Sequence, residues 1–320
     1  MSATLDFPHR VDALRGDVQW ASTSVAQLRA ATFLDGRETF WSGSRVEALA
    51  ERPAPEAQSP GMIFHVGFCG STLLARLLDR SGSVLVLKEP QALADLASQA
   101  PQLGEARLAE VLGWAMPHLA AAAPAGEACV IKPSNWINGL APALAGGGHV
   151  RRAIFLTMAP RAYLRAVFRG GRDRLAHCLR LAELLAHSVA GGGELVRAAI
   201  ARADDPLDRS ALLVVLLHRF QLDLFDRAET RLADGCALRI DHAELAADPL
   251  EATRRAAAVL DLPGEPTADF DAARHSKDMA QVSSADAEES ANREIEHHHG
   301  ARFDMALAWF ESRITAAASR

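Results

Sequence analysis

The stretch IFHVGFCGSTLLARLLD, residues 63–79, passes from an apolar run through two glycines and two hydroxyl residues into a leucine-rich segment of helical period. That order reads as strand, tight turn, helix. Backbone N–H groups at such a turn and at the helix N-terminus can surround an anion, Gly67 and Gly70 allow close approach, and Ser71 and Thr72 add hydroxyl donors. Gly67, Phe68, Cys69, Gly70, Ser71 and Thr72 therefore form a candidate phosphate loop. The competing reading is an ordinary connection in which Gly makes the turn and Ser71 caps the helix. The pattern GxxxxGK[ST] is not met, because no Lys precedes Ser71, so ATP or GTP hydrolysis lacks its usual phosphate lysine.

Around this stretch the chain alternates. MIFHV (62–66), SVLVLK (83–88), ACVIK (128–132), RAIFLTM (152–158) and CALRID (236–241) are short apolar runs, each followed by a longer segment of helical period. Short buried strands separated by helices predict an α/β fold, a three-layer α/β/α arrangement around a mainly parallel sheet. A long helical insert, about residues 160 to 232, is broken by GGG at 191–193, and the end from Asp286 to Arg320 reads as one or two amphipathic helices. Residues 1–60 are expected to form an N-terminal extension, with a helix around Val18 to Ala31 and a hairpin turning at Asp35-Gly36. The Pro-rich stretch ERPAPEAQSPG closes it, and 61–320 forms the main domain.

The chain has 320 residues, 49% of them hydrophobic, which is enough for a full core. A net charge of −6 argues against a main task of coating nucleic acid or anionic membrane. No apolar run approaches the roughly 18 residues of a membrane span, and MSATLDFPHRVD lacks the pattern of a signal peptide. A cytoplasmic location is expected. Four scattered cysteines, without CxxC pairing, suggest neither a zinc site nor a disulfide framework. His297, His298 and His299 are consecutive, and consecutive helical residues point about 100° apart, so the three cannot converge on one ion. No metal is expected. Among 34 Lys and Arg, only Lys88, Lys132 and Lys277 are Lys. Lys88 and Lys132 end strands beside the loop.

The strand–CGST–helix segment resembles the 5′-phosphosulfate loop of the sulfotransferase family, whose pattern is close to PKSGTTWL or RSGTTLL. A second stretch, LRIDHAELAADPLEATRRAAAVLDLP (238–263), resembles the family segment that reads like VRYEDLLADPEATLRRIAEFLGLP. Together the two span about residues 61 to 280. The resemblance implies a P-loop NTPase-like sulfotransferase fold and the cofactor 3′-phosphoadenosine 5′-phosphosulfate. It also implies transfer of a sulfuryl group to a hydroxyl or amine of a small-molecule or carbohydrate acceptor.

The same resemblance implies roles for particular residues. Glu89 falls where several branches place a general base, although pairing with Lys88 or a loop Arg would also explain it. Lys132, in VIKPSNW, is similar to the Lys of KSPxY segments, and with Lys88 it would neutralise the migrating group. His275, Ser276 and Lys277, in ARHSKD, fall where an Arg-Lys-Gly loop holds the cofactor's 3′-phosphate. The chain departs from the family at two places. The cation expected two residues before the loop Gly is Phe68, and the motif RNPxDxxxS reads MAPRAYLRA, with Met158 and Ala166 in place of its Arg and Ser. Arg161, Arg165 and Arg169 are nearby candidates for the 3′-phosphate. Two alternatives stay open: a kinase-like P-loop phosphotransferase, and a non-catalytic nucleotide-binding protein of the same fold.

Overall fold

A computed structural model describes residues 4–56, 59–266 and 285–318. It opens with β1 (Leu5–Asp12), β2 (Asp17–Thr23), α1 (Val25–Ala30) and β3 (Gly43–Ala48). Then come β4 (Gly61–His65), α2 (Ser71–Leu78), β5 (Val84–Lys88), α3 (Gln91–Gln99), α4 (Glu105–Ala120), β6 (Ala128–Lys132), α5 (Ala141–Gly146) and β7 (Ala153–Thr157). Four helices follow: α6 (Pro160–Arg169), α7 (Gly171–Ala186), α8 (Gly192–Arg202) and α9 (Pro206–Glu229). The remainder is β8 (Ala237–Asp241), α10 (His242–Ala247), α11 (Pro249–Val259) and α12 (Ala285–Ala318).

All five apolar runs are strands of one sheet, in the order β5-β6-β4-β7-β8. The pairs β5/β6, β6/β4 and β4/β7 are parallel. All five residues of β5 are buried, as are Met62 to His65 of β4. Successive strand residues face opposite sides, so complete burial means that both faces are covered. Helix α2 packs against β4, β5 and β6, while α10 and α11 pack against β8. From β4 the chain steps two places out to β5 and returns through β6 before crossing to β7. That reversal puts the crevice of an open α/β sheet at the carboxyl end of β4, where the candidate loop begins.

The expected N-terminal helix from Val18 is a correction. Asp17–Thr23 is strand, with Val18 and Trp20 buried and Gln19 half-exposed, and this period-two pattern seats it between β1 and β3 as an antiparallel sheet. The helix starts only after Ser24, whose hydroxyl accepts from the Gln27 N–H. Nor is there a hairpin at Asp35-Gly36. The Leu34 N–H donates to the Lys88 carbonyl (2.7 Å) and the Gln91 N–H donates to the Leu34 carbonyl (3.1 Å), so this segment is bonded to the end of β5 and not to itself. The real hairpin joins Asp12 to Asp17 and turns at Gly16 (φ +82°).

Among the described residues the chain divides into two compact units, one from Met1–Leu156 and Phe225–Lys277, the other from Thr157–Leu224 and Asp278–Arg320. The first holds both sheets. In the second, α12 is one continuous helix running beside α6, with Phe303 edge-on to Phe168. Among the described residues no helix is long and apolar enough to cross a membrane.

Candidate functional site

Strand β4 ends at His65, and the Val66 N–H still bonds the Leu156 carbonyl on β7 (3.1 Å). The backbone then turns through Gly67 (φ +91°), Phe68 (φ +58°) and Gly70 (φ +81°) into α2. A left-handed Phe68 costs roughly 1–3 kcal/mol and persists only where its surroundings enforce it. His65 is one such constraint. Its Nδ1 accepts the Gly67 N–H (3.1 Å) while its Nε2 faces the Pro133 carbonyl (2.9 Å). A carbonyl can only accept, so the ring is neutral with its proton on Nε2. Asn135 donates to the Val66 carbonyl (3.3 Å) and Asn138 to the His65 carbonyl (3.0 Å), closing the underside of the turn. A Cβ on Gly67 would lie 2.9 Å from Asn135 Nδ2, so packing as well as conformation demands glycine there.

Cys69 points inward. Its thiol is fully buried, 3.8 Å from the Leu156 carbonyl, and burial pushes it up to about 11, so it is a protonated packing group under the loop. Thr72 is different. Its hydroxyl is buried, the residue only 9% exposed, and it has no hydrogen-bond partner among the described residues. It sits in the first turn of α2, at the positive end of the helix dipole. A buried hydroxyl left unsatisfied costs roughly 1–3 kcal/mol, which a bound acceptor oxygen would recover.

Lys88 and Lys132 are register partners at the ends of β5 and β6, yet their ammonium groups have different neighbours. Directly after β5, Glu89 adopts a left-handed φ of +56° and its N–H donates to the Lys132 carbonyl (2.7 Å). Its nearly buried carboxylate forms an ion pair with the fully buried Lys132 through Oε1 and with Arg37 through Oε2 (3.1 Å). Strand β6 pairs with β4, and the carbonyl of Pro133, the residue after Lys132, meets the His65 ring under the turn, which puts this pair beside the loop. The Arg37 guanidinium lies 4.4 Å from the centre of the Phe33 ring and the Lys132 ammonium 5.5 Å from it.

Lys88 instead donates to the Arg29 carbonyl (2.8 Å) and lies 3.9 Å from Asp79, the residue that ends α2. Arg29 bridges Asp79 and Glu127, so Lys88 belongs to a structural network of buried charges. Burial lowers the Lys88 ammonium to about 8 even with Asp79 opposing, and burial raises the Asp79 carboxyl.

In the second unit Arg161 pairs with Glu296 and Asp304, Arg165 lies 3.9 Å from Glu296, and Arg169 reaches Glu288 (2.6 Å) and Asn292 (2.8 Å). The three arginines thus bind α6 to α12 through an antiparallel series of contacts. His297 and His298 are exposed, and His299 packs on Phe168 and Phe303. Among the described residues no group of three or more His, Cys, Asp or Glu is placed to hold a metal. His275, Ser276 and Lys277 lie outside the described residues.

Sequence reasoning missed Phe33, Asp35 and Arg37, because residues 31–41 read as a local hairpin. It also missed His65 and Asn135, which shape the loop from beneath. A histidine closing the strand immediately before the glycines was the available signal.

No protein-family model matches the sequence, and no curated protein matches it. Among solved structures the chain is similar to the crystal structure of a sulfotransferase from Alicyclobacillus acidocaldarius, at 17% identity over 83% of this chain and 100% of that one, with a TM-score of 0.38. It is also similar to the sulfotransferase domain from the curacin biosynthetic pathway, at 14% identity over 66% of this chain and 77% of that one, with a TM-score of 0.39.

Proposed function

We propose that the protein is a sulfotransferase-like enzyme that passes a sulfuryl group from 3′-phosphoadenosine 5′-phosphosulfate to a hydroxyl or amine of a small-molecule or carbohydrate acceptor. The observation that carries this reading is the Glu89–Lys132 ion pair beside a left-handed loop whose helix presents a buried Thr72 hydroxyl with no hydrogen-bond partner among the described residues. A turn of this kind with a hydroxyl lacking an acceptor fits an anionic ligand. The donor, when bound, supplies an activated sulfuryl group on its 5′-phosphate.

Residues Gly67 to Thr72 form the loop that holds the 5′ end of the donor, through the backbone N–H groups that follow Gly67, whose own N–H His65 takes, and through the Ser71 and Thr72 hydroxyls. Lys132 provides the cation that the family keeps in the loop and that Phe68 cannot provide. Glu89 takes the acceptor proton on its carboxylate. Catalysis of this kind rests on placement and charge neutralisation, which buried side chains on strand ends supply. The 3′-phosphate is assigned to His275, Ser276 and Lys277. The carboxylates around Arg161, Arg165 and Arg169 favour a structural role for those three.

Calorimetry with adenosine 3′,5′-bisphosphate and with ATP tests the reading. Sub-millimolar binding of the first, lost in the Ser71→Ala, Thr72→Ala double variant, is expected. Binding of ATP alone would favour a phosphotransferase, and binding of neither sinks the proposal. Radiolabelled donor with a panel of hydroxyl and amine acceptors then separates an enzyme from a binding protein.

A further inference from the structure

A third charged side chain touches the carboxylate assigned as base. Arg37 comes from the segment between α1 and β3, and its Nη2 lies 3.1 Å from Glu89 Oε2. The same Nη2 lies 2.5 Å from Asp35, which also accepts from Arg37 Nε (2.6 Å), and the guanidinium lies over the Phe33 ring, so it is held along its Nε/Nη2 edge and on one face. The Asp35 carboxylate also accepts the Arg37 N–H (3.1 Å), which fixes the turn. The segment is bonded to the main chain on both sides of Glu89, at Lys88 and Gln91, through the two backbone groups of Leu34. Arg37 is therefore placed by the same backbone that carries Glu89.

The two cations on Glu89 are unequal. The Lys132 side chain is fully buried and that of Arg37 is 59% exposed. Lysine is a point charge on a flexible stem, whereas the arginine fork has a fixed plane and is restrained here by Asp35 and Phe33. Lys132 holds Oε1 of the carboxylate, and Arg37 takes Oε2.

We propose that Arg37 is a positioning residue for Glu89: it fixes Oε2 and keeps the carboxylate ionised until an acceptor proton arrives. This rests on the reading of Glu89 as the base. In that step the acceptor oxygen or nitrogen forms a bond to sulfur and its proton passes to Glu89. The bond between sulfur and the 5′-phosphate oxygen breaks, with its electron pair leaving on adenosine 3′,5′-bisphosphate. Among the described residues, charged groups facing Glu89 include Lys132 from β6 and Arg37 from the segment between α1 and β3, with Asp35 and Glu38 behind Arg37 and Lys88 engaged by Arg29 and Asp79.

The test is carboxyl carbon NMR on protein labelled at glutamate, with the Glu89 signal assigned from Glu89→Gln. Removing one of two close cations in Arg37→Gln is expected to raise the Glu89 titration midpoint by about one pH unit, with a smaller rise in Arg37→Lys. Adenosine 3′,5′-bisphosphate affinity stays unchanged, while transfer to any acceptor found slows at least about tenfold and is restored in part by added guanidinium in Arg37→Ala. A midpoint equal in wild type and Arg37→Gln overturns the inference. If Arg37→Gln does not fold, Asp35→Asn releases the guanidinium without removing it and is read on the same signal. The titration needs no ligand, so failure of the wild type to bind adenosine 3′,5′-bisphosphate refutes the proposed function while the NMR result still decides the role of Arg37.

Discussion

Replacing Lys88 by Met removes a charge that the fold buries at a cost. The Lys88 ammonium is lowered from 10.5 to about 8, chiefly by desolvation, and its side chain is 3% exposed, so solvent screening gives little relief. At 1.36 kcal/mol per pH unit, a lowering of that size corresponds to about 3 kcal/mol of unfavourable burial while the lysine stays charged. The unfolded chain keeps this proton up to about pH 10.5 and the folded chain releases it near pH 8. Stability of the wild type therefore gains from Lys88 as pH rises through that window, by roughly 1.4 kcal/mol per unit. Cys69, Cys129 and Cys178 act in the opposite sense, because burial holds their thiols at about 11, 12 and 12 while the unfolded thiols ionise near 9. Both proteins carry those cysteines, so the difference between them isolates the lysine. Urea unfolding of wild type and Lys88→Met at intervals from pH 7 to 10 measures it. Below pH 8 the variant loses the hydrogen bond to the Arg29 carbonyl, about 1 kcal/mol, and is still expected to be the more stable protein. The wild type should gain on it steadily above pH 8. A difference that stays flat, or that moves in the variant's favour, would show that attraction to Asp79 outweighs desolvation and refute the reasoning.

Two further outcomes follow from the same site. Lys132→Ala leaves the nearly buried Glu89 carboxylate with one partner fewer and is expected to cost roughly 3–5 kcal/mol in denaturant unfolding, most of it recovered in Lys132→Met combined with Glu89→Gln; equal losses in the single and double variants would mean that packing and not charge holds the pair. Gly67→Ala forces a Cβ onto a left-handed residue 2.9 Å from Asn135 Nδ2. Roughly 1–3 kcal/mol of stability should go, together with calorimetric binding of adenosine 3′,5′-bisphosphate, and a variant that binds like wild type would show that the loop's backbone conformation does not matter.

The parallel sheet was legible because buried strands leave an unmixed signal. Ala128–Lys132 was read to the residue, and the other four runs within one position at each end. Apolar β-branched runs between helical segments admit few other arrangements. The N-terminal sheet was not legible. VQWAST alternates over too few residues to outweigh the helical residues that follow, and only the Ser24 cap marks where one period gives way to the other. Glu89, Lys132 and the loop were singled out because each sits at the carboxyl end of a strand. Arg37 was not, since its place depends on two hydrogen bonds of Leu34 to residues more than fifty positions away. Backbone pairing outside regular elements leaves no periodic trace.

Lys88 and Lys132 show why a strand end alone does not assign a role. Their positions on adjacent parallel strands are equivalent and the sequence offers the same reading for both. What separates them is the nearest buried acid. Asp79, ending α2, together with the Arg29 carbonyl, engages Lys88. The left-handed turn at Glu89 sends the chain back across β6, where its N–H bonds the Lys132 carbonyl and its carboxylate meets the Lys132 ammonium. That conformation is costly for a residue with a side chain, and it persists here because the strand end and the ion pair enforce it. A buried lysine without an acid loses its proton, and a buried acid without a cation gains one. Glu89 and Lys132 give each other the opposite charge that burial would otherwise set against them.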